Sequence, residues 1–236
     1  ERLDQLEGRL YIGKIIERDS KTTTYKFALL RGTIDIIQEN SPFISIKEED
    51  NRVHMPLGLL IEKWMLYYYP IFESELEIPQ IHRDRNLAIE SRFKRLINYY
   101  NDKGGYSAFY NDLRNNGIPQ SIQTNFTALV KRLRNTITNM PMKYIGRSIN
   151  DQYYSIYKKE HRAGGAESKD LQSLILSNGT FSIPREYFDA FKILGSFISG
   201  QDSILFKWAQ FSVNVSDHEL TVNDVLNKVL KNPITE

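Results

Sequence analysis

With 236 residues, 41% of them hydrophobic and 25% charged, the chain is long enough for one large domain or two small ones with real cores. It has no Cys, which excludes disulfides, thiolate metal sites and Cys nucleophiles and fits a reducing, cytoplasmic setting. No apolar run approaches the roughly 20 residues that span a bilayer, so no membrane partner is expected. The net charge of +2 hides a local imbalance. Residues 41–90 hold five Lys/Arg against nine Asp/Glu, whereas residues 121–162 hold eight against two. A basic excess of that kind is either a solvated face or an electrostatic footprint for phosphate.

The first residues, Glu1-Arg2-Leu3-Asp4, include no initiator Met and no signal-peptide core, so a piece of a longer gene product is expected. Glu1 to Arg18 is amphipathic, helix or strand. Thr22 to Thr24 are plausible caps for a helix carrying Tyr25, Ala28, Leu29, Ile36 and Ile37. Pro56 opens a second helix from Leu57 to Tyr69, apolar all round and hence expected to be buried, and Pro70 is expected to stop it. Ser74 to Arg85 reads as an acidic loop. Three helices follow, at 86–100, 106–115 and 120–139, the last with Phe126, Leu129, Val130, Leu133 and Ile137 as its core stripe. Two short strands are expected at Met142–Gly146 and Tyr153–Lys159. The segment from Leu171 to Leu176, then Asn178-Gly179, then Thr180 to Ile183, reads as a β-hairpin. Helices follow from Pro184 to Ser199 and from Ser203 to Val213, and Thr221 to Asp224 resembles a capping box opening a last helix to Leu230. The expected class is mainly α with short β elements, in three subdomains: a helical one at 1–85, a candidate winged-helix one at 86–162 and a hairpin-plus-helix one at 163–236.

No pattern marks a catalytic centre. His54, His82, His161 and His218 are not clustered, and each reads as a surface histidine near a loop. Gly104-Gly105 and Gly164-Gly165 lack the flanks of phosphate-binding motifs. Glu73, Glu75 and Glu77 would share a face on a strand, and Asp35 and Glu39 lie one helical turn apart; acids so placed can hold Mg²⁺, but spacing alone does not make a site. The strand–strand–helix order at 171–199 matches the His-metal nucleases, yet the stretch contains no His, so it reads as structural. No cofactor or metal is expected in this chain.

The strongest constellation spans 86–160. Three helices, a tight turn and two short strands is the order of a winged helix-turn-helix. Its third helix would present Ser121, Gln123, Thr124 and Asn125 to base edges and Lys131, Arg132 and Arg134 to phosphate. The wing would carry Lys143, Arg147, Tyr153, Tyr157, Lys158 and Lys159. The partner implied is double-stranded DNA. A second reading is a helical protein-interaction or assembly module, to which the acidic stretch at 41–90 would suit, and a third is a small enzyme with an unfamiliar site. Self-association into a homo-oligomer stays open.

Three stretches carry a family resemblance: Thr22-Thr23-Thr24-Tyr25-Lys26-Phe27-Ala28-Leu29-Leu30; Pro56-Leu57-Gly58-Leu59-Leu60-Ile61-Glu62-Lys63-Trp64 running into Tyr67-Tyr68-Tyr69-Pro70; and Tyr187-Phe188-Asp189-Ala190-Phe191 with Trp208-Ala209. Together they resemble the N-terminal, non-catalytic regions of bacterial HNH endonucleases of the restriction and phage-defence type. The resemblance implies a DNA-recognition or regulatory half of a phosphodiester-cleaving enzyme, with the HNH nuclease domain and its divalent metal following near Glu236. The family's catalytic His and Asn residues find no match here, so none is carried over.

Overall fold

The computed structural model describes residues 3–82, 86–147, 155–160, 164, 167–196 and 198–231, apart from the side chains of residues 3–5 and 198–203. It is mainly helical. The order is α1 (Leu3–Arg18), α2 (Tyr25–Gln38), β1 (Ser45–Lys47), β2 (Arg52–Pro56), α3 (Leu57–Glu73), α4 (Glu90–Tyr100), α5 (Gly105–Asn111) with a π-turn at Asp112–Asn116, α6 (Gln120–Asn139), α7 (Pro141–Tyr144), β3 (Lys158–Lys159), α8 (Leu171–Ser177), β4 (Thr180–Pro184), α9 (Arg185–Ser196), α10 (Ile198–Val215) and α11 (Val222–Val229). The strands form one antiparallel sheet in the order β1-β2-β4-β3. One cluster of buried apolar side chains runs from Ile12 to Val229 and draws on all three expected subdomains.

Helix α3 lies at the centre of that core. Fourteen of its 17 residues are buried, so the all-round apolar pattern is met by neighbours on every side. It packs against α2, α4, α5, α6, α8 and α11 and both central strands. Gly58 permits the closest of these approaches: a Cβ there would sit 2.1 Å from the carbonyl oxygen of Leu174 on α8.

Pro70 does not end α3, which continues to Glu73. An interior proline leaves the carbonyl four residues earlier without its N–H donor. Here that carbonyl belongs to Leu66, and the Tyr106 hydroxyl from α5 donates to it at 2.8 Å. The side chain replaces the missing backbone bond, and the helix carries on.

Two further expectations are corrected. Leu171–Ser177 is a helix, not the first arm of a hairpin. Asp170 caps it: its carboxylate accepts from the Ser173 N–H at 2.7 Å, and the Asp170 N–H donates to Ser173 Oγ at 3.1 Å. Asn178-Gly179 ends this helix instead of turning a hairpin; the Asn178 amide donates to the Leu174 carbonyl at 2.7 Å, and Gly179 takes the left-handed φ of +81°. β4 then pairs with β2, Val53 opposite Ile183 and Met55 opposite Phe181, more than 120 residues back along the chain. The strand–strand–helix order proposed for 171–199 is therefore helix–strand–helix. Met142–Gly146 is likewise no strand. Pro141 occupies the first position of α7, where its fixed φ suits a helical start. α1, for which helix and strand were both open, is helical.

Two predictions follow from α3. Tyr106→Phe should lower unfolding stability by about 1–3 kcal/mol by leaving the Leu66 carbonyl buried and unpaired. Adding Pro70→Ala should recover part of that loss; urea titration showing no loss in the single variant would refute the substitution of hydroxyl for N–H. The second concerns Glu62, which is 2% exposed and has a carboxylate oxygen without a hydrogen bond, its nearest cation being Arg114 at 3.6 Å. Burial raises its pKa above the ordinary value despite Lys63 and Arg114 nearby. Because the folded value is the higher one, the charged group opposes folding near neutrality and that opposition fades as pH falls. Glu62→Gln should thus raise the melting temperature at pH 7, with a gain that shrinks toward about pH 5; a variant less stable at pH 7 would show that the ion pair outweighs the burial.

Candidate nucleic-acid interface

Helix α6 has two faces. Ile122, Phe126, Leu129, Val130, Leu133 and Ile137 are buried and pack toward α3 and α4. At 100° per residue, Ser121, Thr124, Lys131, Arg132, Asn135 and Asn139 fall on the opposite arc, and all six are exposed. Lys131 and Arg132 make no ion pair among the described residues. Asn125 is half-buried at one border of this arc. Ser121 shares a 3.0 Å hydrogen bond with the Tyr99 hydroxyl of α4.

The other flank of α6 is occupied by the protein itself. Thr127 donates to the Ser168 carbonyl at 3.2 Å, and Arg134 donates to Asn178 Oδ1 at 3.2 Å. Gln123 lies on this flank by its helical angle and is half-buried. Of the residues expected to read DNA from this helix, Ser121, Thr124, Lys131 and Arg132 share one open surface, with Asn125 at its edge. Gln123 and Arg134 do not join them.

Beyond α6 the chain makes a short anchored turn. Pro141, Met142 and Ile145 are buried. The Gly146 N–H donates to the buried Asp19 carboxylate at 2.8 Å, and Asp19 is paired with Lys26 at 2.9 Å. Gly146 has φ +80°, and a Cβ there would meet the Tyr11 hydroxyl at 2.3 Å. What this turn sends outward is Met140, Lys143 and Tyr144, with half-buried Arg147 beside them. The Lys143 Nζ and the Arg147 guanidinium lie 5.4 and 4.9 Å from the Tyr144 ring centre. Reading 142–146 as a strand hid Tyr144; Pro141 as a helix starter, followed by Lys-Tyr-x-x-Arg, was the signal for it.

The expected wing is not built from its two segments. Lys158 and Lys159 pair with β4, Lys158 opposite Ser182 and Lys159 opposite Phe181, at the sheet's edge. Both are exposed, and Lys158 lies 3.6 Å from Glu160. Tyr157 is a core residue, 5% exposed, with its ring on Phe181 and its hydroxyl sharing a 2.7 Å hydrogen bond with Thr33. It cannot serve as a surface contact. Tyr153 lies outside the described residues. β3 and α6 are nonetheless joined through one turn: Arg134 bonds Asn178, and the Thr180 carbonyl accepts from the Glu160 N–H at 3.0 Å.

Three of the five carboxylates considered for metal chemistry are engaged elsewhere. Asp35 accepts from the Tyr67 hydroxyl and lies 3.9 Å from Arg31, and Glu39 pairs with Lys63, all along a cleft of about 240 Å³. Glu75 and Glu77 are exposed with no strand to align them, and Glu73 is paired with Lys231. His82 and His218 are exposed, and His161 lies outside the described residues. His54 is not a surface residue: it is 6% exposed on β2 and bonds Asp50 at 3.0 Å. Asp50, His54 and Glu160 place ligand-type atoms within 4.8 Å of one another, a convergence that long-range pairing of β2, β3 and β4 creates. Glu160, however, already accepts from Ser182 at 2.6 Å and faces Arg52 and Lys158, so its charge is compensated in place. Its hydrogen bond from Ser182 and these cations hold its pKa below the ordinary value against the opposing effect of burial. The cluster reads as a closed ion-pair network on the polar face of the sheet.

A family model described as "Domain of unknown function (DUF8808)" matches residues 5–229. No curated protein matches the chain. No solved structure matches it either. With the match covering nearly its whole length, the chain belongs to the DUF8808 family of domains of unknown function.

Proposed function

We propose that this domain binds double-stranded DNA through the outward arc of α6 and the Lys143 ammonium just beyond it. One observation carries the reading. From Leu113 to Asn150 the chain has six Lys/Arg and no Asp/Glu. Three of those cations, Lys131, Arg132 and Lys143, are exposed on and just beyond one helix. Unpaired cations on a rigid element favour phosphate, because contact releases counterions condensed on the duplex. Lys158 and Lys159 lie at the sheet edge, which joins the occupied flank of α6 through Asn178, and do not belong to this surface. Thr124 and Asn125, near the N-terminal end of α6, are the groups best placed to meet base edges. The resemblance to HNH endonucleases supports a recognition role in defence against foreign DNA, with phosphodiester cleavage and its divalent metal supplied by an HNH domain outside this chain. We assign no reaction to the residues present here.

Fluorescence anisotropy with duplex oligonucleotides over a series of salt concentrations tests this. Affinity should fall steeply with salt, and Lys131→Ala and Arg132→Ala should each reduce the log–log slope by about one unit while weakening all sequences alike. Asn125→Ala should instead relax base preference, by roughly 1–3 kcal/mol if its contact is bidentate. Arg134→Ala should lower stability as well, through loss of its bond to Asn178. Titrations that stay flat with the wild-type protein would overturn the proposal in favour of a protein-interaction module.

A further inference from the structure

Tyr144 is 42% exposed and Met140, immediately before α7, is 47% exposed. The two lie one turn apart, the Tyr144 N–H donating to the Met140 carbonyl at 3.1 Å. Exposed apolar pairs in a small protein are ordinary when scattered, but this one sits on a turn held from beneath by three buried residues and the Asp19–Gly146 bond. It is also framed by cations, Lys143 and Arg147, with no carboxylate in sequence between Asp112 and Asp151. The Arg147 guanidinium lies 4.9 Å from the Tyr144 ring centre and the Lys143 Nζ 5.4 Å from it, so positive charge is fixed against the ring.

A rigid aromatic surface between phosphate-binding cations is the chemistry that takes an unpaired base: the ring stacks on the base, and the cations hold the flanking backbone. A fully paired duplex cannot use it, since its bases are stacked on one another. We infer that Tyr144, with Met140, is a stacking platform for an unpaired base of the DNA strand that α6 holds, so that the domain prefers DNA with a single-stranded tail or gap to an intact duplex. Arg132 lies seven residues before Asn139, so about 10 Å of helix axis separates it from the end of α6, where the turn that carries the platform begins. This inference rests on the DNA-binding reading above and adds the form of DNA selected.

The test compares three labelled DNAs by anisotropy at one salt concentration: an intact duplex, the same duplex with a short single-stranded tail, and the tailed duplex with abasic sites in the tail. Wild-type protein should prefer the tailed duplex, and the abasic tail should abolish that preference. Tyr144→Ala should weaken tailed DNA by roughly five- to one-hundred-fold and leave the intact duplex unchanged, whereas Tyr144→Phe should retain the preference. Because Tyr144 is exposed, its variants should melt with the wild type, which a thermal scan checks. Equal binding of tailed and intact DNA, or a Tyr144→Ala variant that keeps the preference, would overturn the stacking platform while leaving duplex binding by Lys131 and Arg132 intact. Absence of binding to all three DNAs would overturn both.

Discussion

Helix α3 has almost no solvent face, and the rest of the structure is arranged by the need to cover it. A helix buried on all sides places its polar side chains in the core along with its apolar ones, and each needs a partner at a fixed place. α2 and the residues that cap it supply three of them. Glu39 meets Lys63, Asp35 meets the Tyr67 hydroxyl, and Thr24, at the start of α2, shares a 2.8 Å hydrogen bond with the Tyr68 hydroxyl. These contacts fix the rotation and register of α2 on α3 more tightly than apolar packing would, since apolar contact is non-directional. Asp35 and Glu39, two of the acids that looked like metal ligands in the sequence, are spent on this alignment.

The same requirement reaches the distant parts of the chain. Trp208 of α10 packs on Tyr67 and Tyr68 and donates its indole N–H to Gln80 at 2.8 Å. Gln80 in turn donates to Ser212 at 3.1 Å, and its carbonyl accepts from the Thr24 N–H at the same distance. One buried residue thus ties the loop after α3 to α2, through its backbone carbonyl, and to α10, through its side-chain amide. Tyr106 does comparable work at Pro70. In both places a local break in regular structure is mended by a side chain from elsewhere.

Helices with one apolar stripe were legible in the sequence because their period is a local property. α6 was delimited to the residue, at Gln120–Asn139, and the capping box at Thr221 and Asp224 is present. What was not legible depended on partners far along the chain. Leu171–Ser177 and Thr180–Pro184 are short apolar runs around Asn-Gly, and local pattern alone favours a hairpin. The structure instead closes the first on Gly58 of α3 and pairs the second with β2. Pro70 was misread for the same reason: nothing near it announces the Tyr106 hydroxyl. Tyr157 and His54 alternate or border polar residues and look exposed, yet the sheet and α2 enclose them. Of the basic surface, the cations were found from sequence, but their separation into an open arc and an occupied flank needed the contacts of Thr127 and Arg134 with 168–178.

The distribution of charge gives the basic surface its meaning. Elsewhere several of the described cations pair with acids: Lys26 with Asp19, Lys63 with Glu39, Arg52 with Glu160, Lys94 with Glu90 and Lys207 with Glu17. Some of these pairs are exposed and contribute little to stability. Between Leu113 and Asn150 the sequence offers no acid at all, and Arg114 escapes this only by reaching Glu62 on α3. Stability does not require such an omission, since α6 is held by its buried arc. A carboxylate on the outer arc would have been free to pair with Lys131 or Arg132 at helical spacing and would have added modest support to the helix. Leaving those positions to Thr, Asn and Ser keeps the cations available, and α7 places a fixed aromatic ring at their end. A surface that forgoes easy internal pairing on a rigid scaffold is suited to an anionic partner, and its open arc can change without disturbing the buried one that holds α3.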